Sequence, residues 1–302
     1  MKAALAKPKS VLRGVLFVLA STAFFASLDT TTKLVTATVP VAMLMWLRFS
    51  VQALSTAAVM LPRRGLGLLH AHRPGLQILR GVLMVGSSTL AFFSLQFLPV
   101  ANFTAIVMLT PLVVTIAAAL SLHERISALR WALLLAGFGG VLLVIRPGAD
   151  SFHWASLLPL LLVLVSAAFQ LVTSRLAQED DVATIHFYSG LVSALLATLT
   201  LPFYWQELPW WPLWALMFLV AIFSNMGHLM LVLGYASAPV ATLSPYLYSQ
   251  VPFAMLGGWL VFSQRPDNWA LCGIAVIAVA GALGTWVAAR ERHADIRVIL
   301  DA

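Results

Sequence analysis

Ten long apolar stretches, separated by short polar connections, dominate this chain of 302 residues. Each holds about 20 mostly hydrophobic residues, the length that an α-helix needs to cross the hydrocarbon core of a membrane. The stretches are 13–33, 40–61, 77–97, 101–121, 128–146, 154–175, 183–203, 212–234, 240–262 and 269–289. They lack the alternation at every second residue that marks outer-membrane strands. The pattern predicts an all-α integral membrane protein with ten transmembrane helices.

The composition agrees with lipid as the solvent, because 61% of the residues are hydrophobic and only 10% are charged. A soluble domain carries roughly 25% charged residues. The formal net charge of +7 does not indicate nucleic-acid binding, since the charges lie between the apolar stretches. The first stretch has no small-residue cleavage site and is followed at once by another, so we expect a retained span and no signal peptide.

The basic residues are distributed unequally between the two sides of the membrane. Ten spans put both termini on one side, and the positive-inside rule assigns that side to the cytoplasm. Only Lys33, Arg146 and Arg265 then face outwards, and Arg48 lies within a span. The inner connections and tails take the other basic residues, namely Lys2, Lys7, Lys9, Arg13, Arg63, Arg64, Arg73, Arg80, Arg125, Arg130, Arg175, Arg290, Arg292 and Arg297. We predict a multi-pass protein of the inner (plasma) membrane with cytoplasmic termini.

The chain repeats itself at an offset of about half its length. LPVANFTA from Leu98 resembles APVATLSP from Ala238, 140 residues later, and Trp131-Ala132-Leu133 matches Trp269-Ala270-Leu271. Each half holds an odd number of spans, so the second half would be inverted relative to the first, as in many secondary transporters. We therefore predict two inverted five-helix repeats, 1–149 and 150–302, with a substrate site near the midplane. The alternative is that two apolar helices look alike by composition.

Three segments resemble one known family. Thr110–Ser127 (TPLVVTIAAALSLHERIS), the glycine-rich Trp131–Arg146 and the Leu47-Arg48-Phe49 context are similar to the EamA-type ten-helix exporters of the drug/metabolite transporter superfamily. The fourth span of each half in that family typically ends in a Gly-Glu turn. The first half here has His123-Glu124-Arg125, whereas the second has Ser263-Gln264-Arg265 and lacks the glutamate.

The resemblance implies a secondary transporter, either an exporter or a facilitator, that works by alternating access. It implies small organic solutes as substrates, with amino acids, including aromatic ones, as the first expectation. Another metabolite, a nucleotide sugar or a cationic drug is the alternative. A non-transporting membrane scaffold or receptor is a different class, but no long soluble loop or tail marks one here.

Catalytic and metal-binding motifs do not occur in the sequence. It contains no HExxH, P-loop, GxSxG or paired-carboxylate motif, and the single cysteine, Cys272, excludes a four-cysteine metal site. We expect neither an enzyme nor a cofactor or metal. The expected partners are the lipid bilayer and a small-molecule substrate, in a monomer or weak oligomer.

Polar residues within the spans are the functional candidates, because a charge at the bilayer centre persists only where it faces the bundle interior or water. Asp29 and Lys33 stand one helical turn apart and suit either an ion pair or a gate. Arg48 suits a substrate carboxylate or a structural contact with Asp29. His186 and His228 suit either proton coupling or packing.

The cavity candidates are polar or aromatic residues at helical spacing within the spans. They are Arg48, Ser88, Phe92, Thr104, Met108, Ser166, Gln170, Asn225, His228, Tyr246, Gln250 and Phe253. The set on the ninth stretch lies beside Pro245 and Pro252, which we expect to loosen the helix and free carbonyl groups, as we expect for Pro111 and Pro159 in their stretches.

Overall fold

The computed structural model describes residues 10–36, 38–97, 106–121, 127–145, 157–208, 210–263 and 267–300. Ten helices of at least 12 residues lie in these ranges, which contain no strand. They are α1 (Val11–Val35), α2 (Val41–Arg64), α3 (Pro74–Phe97), α4 (Thr110–Ser121), α5 (Ala128–Ile145), α6 (Leu157–Glu179), α7 (Val182–Tyr204), α8 (Trp211–Ser237), α9 (Gln250–Phe262) and α10 (Asn268–Leu300). Each lies in or overlaps one predicted stretch.

Six of these helices, α1, α2, α3, α6, α7 and α8, are long and apolar enough to cross a membrane, and the described parts of α4, α5 and α10 are shorter apolar helices. Large apolar side chains cover the outside of the bundle. Phe203, Trp211 and Leu120 are 82%, 76% and 74% exposed, whereas Arg80 and Gln52 are fully buried. This arrangement suits a hydrocarbon surrounding, so the chain is an all-α, multi-pass membrane protein.

The helices pack in a regular set of pairs. Helix α1 packs on α8, α3 on α6, α2 on α7 and α5 on α10, and further contacts join α2 to α8, α3 to α7, α1 to α9 and α4 to α6. Small residues allow the close approaches. A Cβ atom added to Gly140 of α5 would lie 2.9 Å from the carbonyl oxygen of Gly273 in α10. These pairs hold the polar faces of α1, α2, α3, α8 and α9 towards one another.

The ninth stretch is not a continuous α-helix. One α-helical turn, Val240–Leu243, leads into a 3-10 segment, Ser244–Ser249, before α9 begins. Pro245 has no N–H to donate and sits at the start of the 3-10 segment. The expected loosening is thus present at Pro245. Pro111 is the second residue of α4 and follows a turn at 108–109, which separates α4 from the helical residues 106–107, so the stretch is interrupted there as well.

Several predicted bounds differ from the observed ones. The fourth stretch is divided by a turn at 108–109, between the helical residues 106–107 and helix α4 from Thr110, and its predicted start at 101 lies outside the described residues. Pro159 lies in the first turn of α6 as described. Helix α10 extends to Leu300, beyond the end of its apolar stretch. Hydropathy marks the lipid-soluble part of a helix, whereas backbone hydrogen bonds continue into polar sequence.

Candidate functional site

A central polar cluster forms where five helices present polar side chains to one another; it consists of Asp29, Arg48, Ser88, His228 and Gln250. The Nη2 atom of Arg48 in α2 donates to Ser88 Oγ in α3 at 3.0 Å. On the other side, Gln250 Nε2 at the start of α9 donates to Asp29 Oδ2 in α1 at 2.9 Å. Asp29 and Arg48 attract each other electrostatically but form no ion pair within 4 Å. Both therefore keep hydrogen-bonding capacity for another molecule.

His228 in α8 lies between two aromatic rings within this cluster. Its ring centroid is 4.9 Å from that of Phe25 and 5.8 Å from that of Phe169, edge-on in both cases. The Nδ1 atom of His228 and the Nε atom of Arg48 are buried and have no hydrogen-bond partner among the residues that the structure describes. Buried polar atoms in native proteins are rarely left unpaired, so these two atoms are suited to a ligand or a bound water.

Arg80 is a functional candidate that the sequence reasoning missed. It was assigned to an inner connection by the charge count, but it lies in α3 and is fully buried. Its Nε donates to Thr173 Oγ1 at 2.8 Å, its Nη1 donates to Ser189 Oγ, and its guanidinium lies over the Phe169 ring at 4.5 Å. The span prediction already indicated a position within the membrane, because residue 80 falls inside the predicted span 77–97.

His186 belongs to a separate polar network between α2, α7 and α8. Its Nε2 bonds Asn225 Oδ1, and Gln52 Nε2 donates to the His186 carbonyl at 3.0 Å. Asn225 Nδ2 in turn donates to Ser55 Oγ at 2.9 Å. A cavity of about 360 Å³ reaches this network past Ser55 and Arg64. Asn225, predicted as a cavity residue, therefore lines this cavity and serves the His186 network.

The alternative of a simple ion pair between Asp29 and Lys33 is not realised. The Asp29 carboxylate accepts from Gln250, and the Lys33 ammonium lies 4.6 Å from the centroid of the Phe262 ring. A cation over an aromatic face gains electrostatic stabilisation without a carboxylate. The helical spacing allowed the pair, but neighbouring helices supplied other partners to both residues.

The other predicted cavity residues are spread over the bundle. Phe92 lines a cavity of about 620 Å³ between the start of α2, α3 and α7, and Tyr246 lines one of about 330 Å³ against α10. Gln170 is buried and accepts from the Tyr235 hydroxyl, and Met108 packs in an apolar cluster. Ser166 and Phe253 are half-buried on α6 and α9. Thr104 lies outside the described residues.

An ionic cluster joins the α2–α3 connection to the α6–α7 connection. It contains two arginine–carboxylate ion pairs, Arg64–Asp181 and Arg73–Glu179, and a 2.9 Å hydrogen bond between His72 Nδ1 and Asp180 Oδ1. The Asp180 carboxylate accepts from the His72 backbone N–H and from Gln77 Nε2, each at 2.7 Å. Burial acts to raise the pKa of Asp180, but these hydrogen bonds outweigh it and hold the pKa below its usual value.

No set of three or more His, Cys, Asp or Glu side chains suited to a metal ion occurs in the part of the chain that the structure describes. The arrangement offers hydrogen-bond donors, acceptors and aromatic edges in a membrane interior. Such a site can bind and orient an organic solute.

Residues 12–146 match the EamA-like transporter family. A riboflavin transporter of Rhizobium johnstonii is 30% identical over 221 residues, which cover 73% of each chain. A riboflavin transporter of Vibrio cholerae serotype O1 is 29% identical over 228 residues, covering 74% of this chain and 76% of its own. An S-adenosylmethionine uptake transporter of Rickettsia bellii is 26% identical over 216 residues, covering 72% and 74%.

The fold also has a counterpart among solved structures. One crystal structure superimposes with a TM-score of 0.77 and covers 92% of this chain and 98% of its own, at 19% sequence identity. At that identity the likeness concerns the fold alone. The curated relatives, in contrast, carry information on the class of activity, since all three are named as transporters.

Proposed function

Because this chain belongs to the EamA-like transporter family of the drug/metabolite transporter superfamily, we propose that it is a secondary transporter of a neutral heteroaromatic metabolite of the riboflavin class. The relatives are transporters and not enzymes. They imply a small-molecule substrate and a place in the bacterial inner membrane. The substrate class is the proposal, and it is supported by the names of the riboflavin transporters and by the chemistry of the central polar cluster.

The observation that carries this proposal is that polar atoms without a hydrogen-bond partner occur together with aromatic rings in the central polar cluster. Arg48 Nε can donate, and His228 Nδ1 can donate or accept according to its tautomer. A flavin ring presents carbonyl oxygens and an imide N–H along one edge, which matches this inventory. The Phe25 and Phe169 rings beside His228 provide an apolar surround for the rest of a planar ring system.

Amino acids and S-adenosylmethionine are the alternative substrates for this site. The amino acids expected from the family resemblance have no support from the three relatives, whose names specify riboflavin and S-adenosylmethionine. S-adenosylmethionine is the second candidate, because the exposed carboxylate of Asp29 could attract a cation. That attraction is weakened by Arg48, which acts electrostatically on the same carboxylate. We therefore place S-adenosylmethionine after riboflavin.

The mechanism that we propose is alternating access between two inverted halves, 1–149 and 150–302. The helix pairing supports it. If each of α1–α5 is exchanged with the helix five places later, the α1–α8 pair becomes α6–α3, and both pairs occur. The α1–α9 and α2–α8 pairs likewise become α6–α4 and α7–α3, which also occur, and the α2–α7 and α5–α10 pairs are unchanged. A scaffold with this exchange symmetry has two equivalent ways to open.

The test is solute counterflow in proteoliposomes that contain the purified protein. Vesicles preloaded with unlabelled riboflavin should accumulate labelled riboflavin transiently and saturably. Lumiflavin should compete, whereas phenylalanine and tryptophan should not, and runs with and without a pH gradient should report proton coupling. Saturable counterflow of amino acids with no effect of flavins would overturn the proposed substrate class, and absence of any counterflow across the panel would overturn transport.

A further inference from the structure

We infer that Arg80 makes the substrate site electropositive, so that the transporter rejects cationic solutes and accepts neutral or anionic ones of the same shape. This inference adds the charge class of the substrate to the proposed function. The part of its test that uses flavins rests on that proposed function. Arg80 is not proposed to touch the substrate. It acts on the site through its charge.

Arg80 is a buried cation whose surroundings do not neutralise it. Its exposed fraction is 0%, and its hydrogen-bond partners are the neutral Thr173, Ser189 and the Ile185 carbonyl. None of the ion pairs among the described residues includes it, and its Nη2 atom is buried without a partner. A buried charge normally has an opposite charge beside it, because desolvation is otherwise uncompensated.

The distance from Arg80 to the central polar cluster is short. The Phe169 ring lies between them, with the Arg80 guanidinium carbon 4.5 Å from its centroid and the His228 ring centroid 5.8 Å from it. The guanidinium carbon is therefore at most about 10 Å from the His228 centroid. Arg80 also acts electrostatically on both His228 and His186.

The charges around the site do not cancel. Asp29 contributes one negative charge and Arg48 one positive charge, so these two balance, and Arg80 adds a positive charge that nothing in the cluster offsets. Lys33, one turn beyond Asp29, has the same sign. At an effective dielectric constant near 20, a unit charge about 10 Å away changes the affinity for a cation about tenfold to twentyfold.

A purely structural role is the competing explanation. Arg80 ties α3 to Thr173 of α6 and Ser189 of α7, and this could be its whole purpose. The two roles separate if the charge is neutralised while Arg80 stays and residue 189 can still accept a hydrogen bond from it. Ser189→Asp places a carboxylate beside the guanidinium, and Ser189→Asn is the matched variant of nearly the same shape without the charge.

The ligands of the test differ in charge and hardly in shape. One set is three flavins whose N10 side chains have equal length and end in a hydroxyl, a carboxylate or an ammonium group. The other pair is S-adenosylhomocysteine and S-adenosylmethionine, which differ by one methyl group and the positive charge of the sulfonium. Each is measured as a competitor, by its inhibition constant against counterflow of the best substrate of the wild-type protein.

We expect the wild-type protein and Ser189→Asn to bind the neutral ligands about tenfold, and the anionic flavin about a hundredfold, more tightly than the cationic ligands, and Ser189→Asp to reduce each ratio to about one. Arg80→Lys should keep the ratio, because it keeps the charge. If Ser189→Asp fails to fold, Arg80→Gln against Arg80→Lys makes the same comparison. A ratio near one in the wild-type protein, or a ratio unchanged by neutralisation, would overturn the inference.

The possible outcomes distinguish failure of the charge selection from failure of the proposed function. If flavins fail to compete but S-adenosylhomocysteine competes better than S-adenosylmethionine, the riboflavin proposal fails and the charge selection stands. If riboflavin is transported but the charged flavins compete equally, the charge selection fails and the proposed function stands.

Discussion

At the scale of single residues, two membrane arginines have different surroundings and so different expected roles. Arg48 is half-buried, donates to Ser88 and keeps its Nε without a partner, whereas Arg80 is fully buried among hydroxyl groups and Phe169. The first is placed to contact a solute and the second to act at a distance. Both fall inside predicted apolar stretches, 40–61 and 77–97, although the charge distribution assigned only Arg48 to a span.

Replacing Arg48 by glutamine should raise the KM for riboflavin about tenfold, because a charge-assisted hydrogen bond contributes about 1.5 kcal/mol or more. The measurement is the concentration dependence of counterflow, at equal amounts of reconstituted protein. Arg63→Gln is the control, since Arg63 is an exposed arginine of the same helix. An unchanged KM for Arg48→Gln would remove Arg48 from the substrate site.

The buried carboxylate of Asp180 leads to a prediction about how the stability of the fold depends on pH. Its pKa is held below its usual value, so the folded protein binds fewer protons than the unfolded chain near that pH. Its stabilisation is therefore complete above about pH 4 and is lost as the pH falls through the lowered pKa. Asp180→Asn should lower the free energy of unfolding by about 2 kcal/mol at neutral pH and reduce the loss of Tm between about pH 5 and 3.

Thermal unfolding in detergent across this pH range measures the effect. Glu179→Gln is the matched control, because the Glu179–Arg73 pair is exposed, with side chains 42% and 59% accessible, and such pairs contribute about 1 kcal/mol or less. Equal losses of Tm in the two variants would show that the three hydrogen bonds to Asp180 do not favour its charged form.

At the scale of the elements, close crossings depend on residues without a side chain. Gly190 of α7 faces α2, and an added Cβ would lie 2.7 Å from the Ala53 backbone nitrogen and 2.9 Å from Gln52 Cγ. Backbone atoms cannot move aside alone, so the two helices must separate. Gly190→Ala should cost about 1–3 kcal/mol of stability and lower Tm.

The control for this crossing is Gly139→Ala in α5, because nothing lies within 4 Å of its added Cβ. Helix propensity then favours alanine by up to about 1 kcal/mol, so Tm should stay or rise. A Gly190→Ala protein as stable as the Gly139→Ala protein would contradict the close packing of α2 on α7.

The helices themselves were largely predictable from the sequence, because lipid solubility requires about 20 apolar residues in a row. What could not be predicted was which face of each helix turns inward. Thr173 and Gln170 share a face of α6 by spacing, yet one accepts from Arg80 and the other from Tyr235. Those partners come from α3 and α8, far away in sequence, and no local pattern encodes them.

At the scale of the whole molecule, the orientation in the membrane remains a prediction. The excess of lysine and arginine in one set of connections predicts cytoplasmic termini. Green fluorescent protein fused to the C-terminus should fluoresce, and alkaline phosphatase fused there should be inactive. Alkaline phosphatase fused at Gln206, in the α7–α8 connection, should be active. The reverse pattern would place the termini outside.

Hydrophobicity and charge distribution alone determined that this chain is a multi-pass membrane protein, because both are sums over local sequence and the bilayer acts on each stretch separately. The tertiary structure alone decided which polar residues meet. It separated Asp29 from Lys33, joined Asn225 to His186 and buried Arg80 beside the site. Helices in lipid choose neighbours by close packing and hydrogen bonding between distant segments, and that choice sets the chemistry of the site.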